Sequence, residues 1–274
     1  MLERSRVKQL RWPQWVSVTF FICLSVWWGT IFSRGLKSGP ENNIYTLLYP
    51  FLSLWGGFWG VTIAKKWGGY RSVFGRSILA FALGLLAQFF GQAAYAYYIY
   101  VKGVQVPYPS IGDIGYFGSV LLYLYGAILL AKTAGIKISL RSFKGQIMAV
   151  LLPLALLGLS YFLFLQNYQF SDSTFVKIFL DFGYPFGQAI YVSVALLTLI
   201  HSQKVLGGMM RWSVLFILFA LVIQYLCDSI FLYQNNAGQW YVGGINDYMY
   251  TASYLVMTLS LIQLGNAFAK VKGT

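Results

Sequence analysis

The chain consists of long apolar stretches separated by short polar connections. Eight stretches predict transmembrane helices, because about 20 consecutive apolar residues are needed to cross the hydrocarbon core of a bilayer. The predicted spans are residues 13–33, 43–64, 76–100, 111–132, 145–166, 175–200, 211–234 and 245–268. Turn-forming residues such as Gly39-Pro40 and Gly68-Gly69 lie between them. The pattern predicts an all-α, polytopic membrane helix bundle that forms one integral membrane domain over residues 1–274.

Composition agrees with this pattern. The chain is 58% hydrophobic and only 10% charged, with a mean hydropathy of +0.63, whereas soluble domains carry about 25% charged residues. No polar stretch is long enough for a separate catalytic domain. The first apolar run is long and is not followed by a small-residue cleavage site, so we expect a retained helix and not a signal peptide. Lipid is therefore the first expected partner of this surface.

The basic residues predict how the bundle is oriented. Sixteen of the 20 lie on one side, in the two termini and the loops near 65–76, 133–144 and 201–211. Short cytoplasmic loops are enriched in Lys and Arg, so both termini are predicted to be cytoplasmic, in the inner membrane of a prokaryote. The alternation also requires an even number of spans. Because the net charge of +13 is spread over short loops, nucleic acid is not an expected partner.

Four aspartates lie in or at the edge of predicted spans: Asp113, Asp181, Asp228 and Asp247. An Asp at a helix centre costs about 2.5–3.5 kcal/mol on insertion scales, so such residues usually face a partner, water or a ligand. All four are predicted at a similar depth near the outer side. Asp228 has no basic residue nearby in the sequence, so it needs a cross-helix partner, a proton or a ligand.

Amide and aromatic residues accompany the aspartates at helical spacing. Gln88 and Gln92 share a helix face, as do Gln224 and Asp228. We therefore predict an outer-facing polar cavity with carboxylates from the four aspartates, hydrogen bonds from glutamines and walls of tyrosine. The predicted ligand-binding residues are Asp113, Asp181, Asp228, Asp247, Gln88, Gln92, Gln188, Gln224, Tyr116, Tyr184 and Tyr225. This chemistry suits a cationic or polyhydroxyl ligand, or a metal ion.

Each of these residues also has a structural interpretation. Asp113 and Asp247 lie near helix starts, where acids cap backbone amides. Asp181 follows Lys177 by one turn and can pair with it, and glutamines often hold helices together. The pair Gly56 and Gly60 is typical of close helix packing or dimerisation, so a homodimer is a further expectation.

Two halves of the chain resemble each other. Gln88-x3-Gln92 is followed by Gly112-Asp113-Ile114-Gly115-Tyr116, and Gln224-x3-Asp228 is followed by Asn246-Asp247-Tyr248-Met249-Tyr250. The equivalent segments lie four spans apart and run in the same direction. The pattern predicts two parallel four-helix repeats with a site at their interface, as in many transporters.

The stretch Tyr108-Pro109-Ser110-Ile111-Gly112-Asp113-Ile114-Gly115-Tyr116 contains a Pro-Ser-x-x-Asp-x-x-Tyr signature. It resembles a signature of poorly characterised multispanning sensor regions that precede diguanylate cyclase and histidine kinase domains. A later Asp247-to-Tyr250 segment matches their second helix start loosely, and Gly112 stands where that family commonly has Ala. The resemblance implies an input module. Because no output domain is expected in this chain, the module would signal through a separate partner.

Motifs for other functions are missing. The sequence has no His-Glu-x-x-His, no Gly-x-Ser-x-Gly and no P-loop. Its single histidine, His201, excludes haem held by paired histidines, and the last span has no lysine for retinal before Lys270. We therefore predict a non-enzymatic sensor or ligand-binding module without a cofactor. A small transporter or proton-coupled carrier, and an assembly subunit of a larger membrane complex, are the alternatives.

Overall fold

The computed structural model describes residues 11–104, 106–134, 143–162, 174–202 and 211–272, together with Gln166 and Phe170. Within these ranges the chain is helical and contains no β-strand, which confirms the predicted all-α fold. The α-helices are α1 (Arg11–Ser33), α2 (Pro40–Leu48), α3 (Phe51–Lys66), α4 (Val73–Ala96), α5 (Ile111–Thr133), α6 (Phe143–Ser160), α7 (Phe175–Ser202), α8 (Arg211–Asn236) and α9 (Ile245–Lys272). A π-helical turn, Tyr97–Val101, extends α4.

The predicted span at 43–64 consists of two helices, α2 and α3. Pro50 lies between them and has no N–H to donate to the carbonyl four residues earlier, so the regular hydrogen bonding is interrupted. Tyr49 and Pro50 nevertheless keep right-handed helical backbone angles. The two helices therefore continue as one kinked span, Pro40–Lys66.

The described helices account for the eight predicted spans. Seven helical stretches of 23 to 29 residues have the length and apolar composition to cross a membrane. The eighth, α6, is apolar but has only 18 residues, or about 27 Å at 1.5 Å per residue, close to the roughly 30 Å of a hydrocarbon core. Residues 163–165, near the end of the predicted span 145–166, lie outside the described ranges.

Six of the spans close into a ring. Around it, α3 packs on α4, α4 on α5, α5 on α7, α7 on α8, α8 on α9, and α9 returns to α3. The remaining two spans lie outside the ring, with α1 against α9 and α6 against α7. Only Pro13, Ser17, Leu24 and Ile31 of α1 are buried, which is one narrow stripe. The ring is thus the body of the protein, and α1 and α6 are peripheral.

The order of the ring supports the predicted parallel repeat. Spans that are four apart in the chain correspond to each other, so that α3 pairs with α7, α4 with α8 and α5 with α9. Exchanging the members of each pair leaves the order of helices around the ring unchanged. The two peripheral helices break this equivalence, because α1 packs on α9 whereas α6 packs on α7 and not on α5, the counterpart of α9. The repeat is therefore a property of the ring.

Small residues allow the ring helices to approach closely. A Cβ atom built on Gly60 would lie 2.6 Å from Cβ of Ala82 on α4, and one on Gly56 would lie 2.8 Å from Cδ1 of Leu85. Both glycines are buried. The Gly56–Gly60 pair is therefore used for packing within one chain, as one of its two sequence interpretations predicts.

Charge divides the bundle into two ends. All five acidic residues of the described ranges, namely Glu41, Asp113, Asp181, Asp228 and Asp247, lie toward the end where α5, α7 and α9 begin, the acidic end. Eight described basic residues lie at the opposite, basic end: Arg11, Lys65, Lys66, Arg71, Arg76, Lys132, Arg211 and Lys270. The predicted loop charges Glu3, Arg4, Arg6, Lys8, Lys137, Arg141, Asp172 and Lys204 lie outside the described residues. Segregation of charge along the bundle is thus a feature of the described fold.

Candidate functional site

Asp228 is held between three helices of the ring. Its carboxylate accepts hydrogen bonds from Gln188 Nε2 on α7 at 2.7 Å, from Gln224 Nε2 on α8 at 3.2 Å and from the Tyr250 hydroxyl on α9 at 2.5 Å. Among the described residues, an ion pair within 4 Å is formed by Arg34 and Glu41 and not by Asp228. No basic side chain of these residues therefore neutralises the Asp228 carboxylate. The cross-helix partner that the sequence required is therefore a set of neutral donors.

Glutamines extend this network into the core. Gln224, which is 3% exposed, accepts a hydrogen bond from Ser253 Oγ on α9 at 3.0 Å. On the other side of the ring, Gln88 Nε2 donates to Ser119 Oγ on α5 at 2.7 Å. Gln88 Oε1 accepts from the Tyr254 hydroxyl at 3.0 Å, which links α4 across the ring to α9.

Asp113 both caps a helix and joins two helices. One carboxylate oxygen accepts the backbone N–H of Ser110 at 2.7 Å, while Ser110 Oγ accepts the N–H of Gly112 at 3.1 Å, in a capping box at the start of α5. The other oxygen accepts the hydroxyl of Tyr184 on α7 at 2.9 Å. The predicted capping role is confirmed, and Tyr184 joins the site as predicted.

Asp247 makes related contacts at the start of α9. Its Oδ2 atom accepts the backbone N–H of Gly243 at 2.6 Å and the hydroxyl of Thr46 on α2 at 3.3 Å. The residue is 4% exposed. Asp247 therefore fixes the turn that leads into its helix, which is not the predicted cap of the helix itself, and also ties α9 to the first half of the chain.

Asp181 lies apart from the other aspartates. Its carboxylate accepts the Tyr108 hydroxyl at 2.6 Å, in an exposed contact at the edge of the acidic end. Within the described residues, no ion pair between Asp181 and Lys177 is seen. Asp181 belongs to the rim of the site.

The network follows the repeat at several positions. Asp113, Tyr116 and Ser119 on α5 correspond to Asp247, Tyr250 and Ser253 on α9, each 134 positions later. Gln88 and Gln92 on α4 correspond to Gln224 and Asp228 on α8, each 136 positions later. The Gln88–Ser119 bond then matches Gln224–Ser253, whereas Asp113 accepts the backbone N–H three residues earlier and Asp247 the one four residues earlier. The pattern extends to the neighbouring span, because the Gln92–Tyr49 bond of 2.8 Å matches Asp228–Gln188.

The two halves differ in charge at one position. Where α8 has Asp228, the equivalent position on α4 is the neutral Gln92. Tyr116, the counterpart of Tyr250, lies within electrostatic range of Asp247, Asp113 and Asp228. One tyrosine of the ring thus lies within electrostatic range of three of the four predicted aspartates, and only one of the two equivalent inner positions carries a carboxylate.

One predicted residue belongs elsewhere. The Tyr225 hydroxyl lies 3.5 Å from Ser160 Oγ on the peripheral helix α6, so Tyr225 does not face the network. Three polar atoms near the acidic end have no hydrogen-bond partner among the described residues: Asn42 Oδ1, Asn246 Oδ1 and Trp240 Nε1. Because buried polar groups are normally paired, these atoms indicate capacity for further hydrogen bonds.

Two cavities are at the basic end, lined by residues of α1, α8 and α9, and neither is lined by an aspartate. Within the described residues, no three His, Cys, Asp or Glu side chains are grouped so as to hold a metal ion. We name the polar network of Asp113, Asp228, Asp247, Gln88, Gln92, Gln188 and Gln224 the acidic seam.

Several residues that form hydrogen bonds with the acidic seam were not predicted. Tyr250, Ser119 and Ser253 supply hydrogen bonds, and Tyr49 and Thr46 connect the first half. Tyr250 and Ser253 follow Asp247 by three and six positions, as Tyr116 and Ser119 follow Asp113. The repeat in the sequence could therefore have identified these residues.

Comparison with known proteins gives no relative. No protein-family model, no curated protein and no solved structure matches this chain.

Proposed function

We propose that the protein is a membrane sensor module that binds a small ligand at the acidic seam. The observation that carries the proposal is Asp228, a carboxylate within the membrane that is held by three neutral donors and by no basic side chain of the described residues. An ionisable residue inside a membrane is costly and usually functional. A purely structural contact between these helices needs only glutamine, which the chain uses at the equivalent position 92.

The chemistry of the acidic seam favours a cation. Three carboxylates lie within electrostatic range of Tyr116, and their charges add to a negative potential that cationic groups neutralise. Tyrosine rings add cation–π attraction for an ammonium group. Among the described residues, no three His, Cys, Asp or Glu side chains are grouped so as to hold a metal ion. An organic cation is therefore the leading candidate ligand, and a polyhydroxyl compound is the second candidate.

Ligand binding at Asp228 would change how the helices pack. A bound ammonium group competes with Gln188 and Tyr250 for the carboxylate, and these two donors come from α7 and α9. Releasing them frees α8 to shift against its neighbours. The helices are rigid and about 40 Å long, at 1.5 Å per residue, so the displacement reaches the basic end. A separate signalling partner or a second copy of the chain would receive it at that end. This orientation rests on the predicted cytoplasmic location of both termini in a prokaryotic inner membrane.

The proposal is tested by ligand-induced stabilisation. We expect spermidine, as a cationic probe, to raise the melting temperature of the purified protein more than trehalose, a polyhydroxyl probe, because a ligand that binds only the folded state stabilises it. Asp228→Asn should lose the spermidine effect while expressing normally. Asp181→Asn, at the rim, is the matched control and should keep most of it. The proposal is wrong if neither probe stabilises the wild type, or if Asp228→Asn responds as the wild type does.

A carrier is the second candidate, because the ring has the parallel two-fold order common among transporters. Flux of radiolabelled spermidine into liposomes separates the two functions. A sensor binds without flux, whereas a carrier shows flux that Asp228→Asn removes.

A further inference from the structure

Two adjoining cavities lie at the basic end, where α1, α8 and α9 meet. The larger, of about 580 Å³, is lined mostly by apolar side chains, and the smaller, of about 150 Å³, is lined by polar and basic ones. Arg11, Gln14 and Gln263 line both cavities, so the two spaces adjoin, and we treat them together as one continuous site. The larger volume is within the roughly 300–1,000 Å³ typical of ligand pockets.

The larger cavity is a wedge between α1 and α8, with α9 behind it. Trp15 and Val18 line it from α1, Trp212 and Phe216 from α8, and Val256 from α9. Trp15 and Trp212 are 68% and 66% exposed, so the wedge opens outward from the bundle. In a bilayer the molecules that meet such an apolar surface are lipid acyl chains.

The smaller cavity has the chemistry of a headgroup site. Arg11 and Lys270 bring two positive charges to it. Three amide side chains complete the lining, with Gln14 Nε2 donating to Gln263 Oε1 at 2.9 Å and Asn266 Nδ2 donating to Gln14 Oε1 at 3.2 Å. These amides tie α1 to α9 and offer further polar contacts.

The site has basic groups at one end and apolar surface along the rest, which matches the charged headgroup and the acyl chains of a phospholipid. On α9 the wedge begins near Val256, and Lys270 lies fourteen positions later at the helix end, which is about 20 Å of helix. The basic groups are therefore at the membrane surface, and the apolar wedge runs inward from them.

We infer that this continuous site binds one phospholipid with an anionic headgroup. The lipid phosphate contacts Arg11 and Lys270, and an acyl chain fills the wedge between α1 and α8. Basic pockets between transmembrane helices on the cytoplasmic side bind such headgroups. The bound lipid bridges the peripheral helix α1 to the ring, which otherwise holds α1 by a narrow stripe.

Native mass spectrometry of the detergent-solubilised protein tests this inference. We expect one tightly bound phosphatidylglycerol, with roughly thirtyfold preference over phosphatidylcholine of the same acyl chains, since each of the two basic residues adds about 1 kcal/mol of attraction. Arg11→Gln with Lys270→Gln should abolish the preference. Lys65→Gln with Lys66→Gln, at the same end but outside the site, should retain it.

A second pair of variants tests the acyl-chain wedge. Val18→Trp fills the wedge and should weaken both lipids several-fold, whereas Val16→Trp, on an exposed part of α1 outside the wedge, should not. Melting temperatures verify that each variant is folded. The inference is overturned if the wild type binds both lipids equally, if the Arg11 and Lys270 double variant keeps the preference, or if millimolar inorganic phosphate displaces the phosphatidylglycerol, which would indicate an ion site only.

Discussion

At the residue scale, the polar side chains of the ring are connected by hydrogen bonds between helices. Gln88 and Gln224 occupy equivalent positions and each bonds a serine one helix away. Interhelical hydrogen bonds in membranes contribute about 0.6 kcal/mol on average and about 1.7 kcal/mol at most. The acidic seam therefore stabilises the ring through many small terms, and no single bond among neutral groups dominates.

Double-mutant cycles measure these terms. Gln88→Leu with Ser119→Ala, and Gln224→Leu with Ser253→Ala, should each give a coupling free energy of about 0.6 kcal/mol, measured by unfolding in mixed micelles. Gln88→Leu with Ser193→Ala should give no coupling, because Ser193 bonds only a carbonyl of its own helix, Ala189. Purely additive effects in either serine pair would contradict the matched network.

At the scale of elements, α4 and α5 approach closely along glycines. A Cβ atom on Gly115 would lie 2.5 Å from the carbonyl oxygen of Ala87 and 2.7 Å from the backbone nitrogen of Gly91. A Cβ atom on Gly118, one turn further along α5, would have nothing within 4 Å. The helix pair is therefore intolerant of a side chain at one glycine and tolerant at the next.

Two alanine substitutions distinguish these glycines. Gly115→Ala should destabilise the protein by about 1–3 kcal/mol, because the clash is with backbone and forces the helices apart. Gly118→Ala should be neutral or stabilising by up to about 1 kcal/mol, since alanine is the better helix former. Thermal unfolding of both variants is the measurement, and equal melting temperatures would exclude close packing at Gly115.

The sequence predicted the helices well because long apolar runs and intervening turns follow directly from bilayer thickness. The kink at Pro50 was also visible in principle, since proline interrupts helical bonding. The rotation of each helix about its own axis could not be predicted, because the side that faces lipid and the side that faces the ring are both apolar. For that reason Tyr225 was assigned to the site and Tyr250 was not, although both are large polar aromatics near Asp228.

At the scale of the whole molecule, charge segregation predicts the orientation. Alkaline phosphatase fused after Gly238, at the acidic end, should be active, and a fluorescent protein fused at the C-terminus should fold, because basic loops stay in the cytoplasm. A fusion after Gly68, at the basic end, should give an inactive phosphatase. Activity after Gly68 together with inactivity after Gly238 would reverse the orientation of the proposed site.

The central claim is that one carboxylate, placed at one of two equivalent positions, makes the acidic seam a cation site. Calorimetric titration with spermidine of the wild type, Asp228→Gln, and Asp228→Gln combined with Gln92→Asp tests it most directly. We predict that binding is lost in the single variant and returns in the double variant, because Gln92 and Asp228 are related by the repeat and Tyr116 stands where Tyr250 does. Unchanged binding by Asp228→Gln, or no recovery in a folded double variant, would contradict the account.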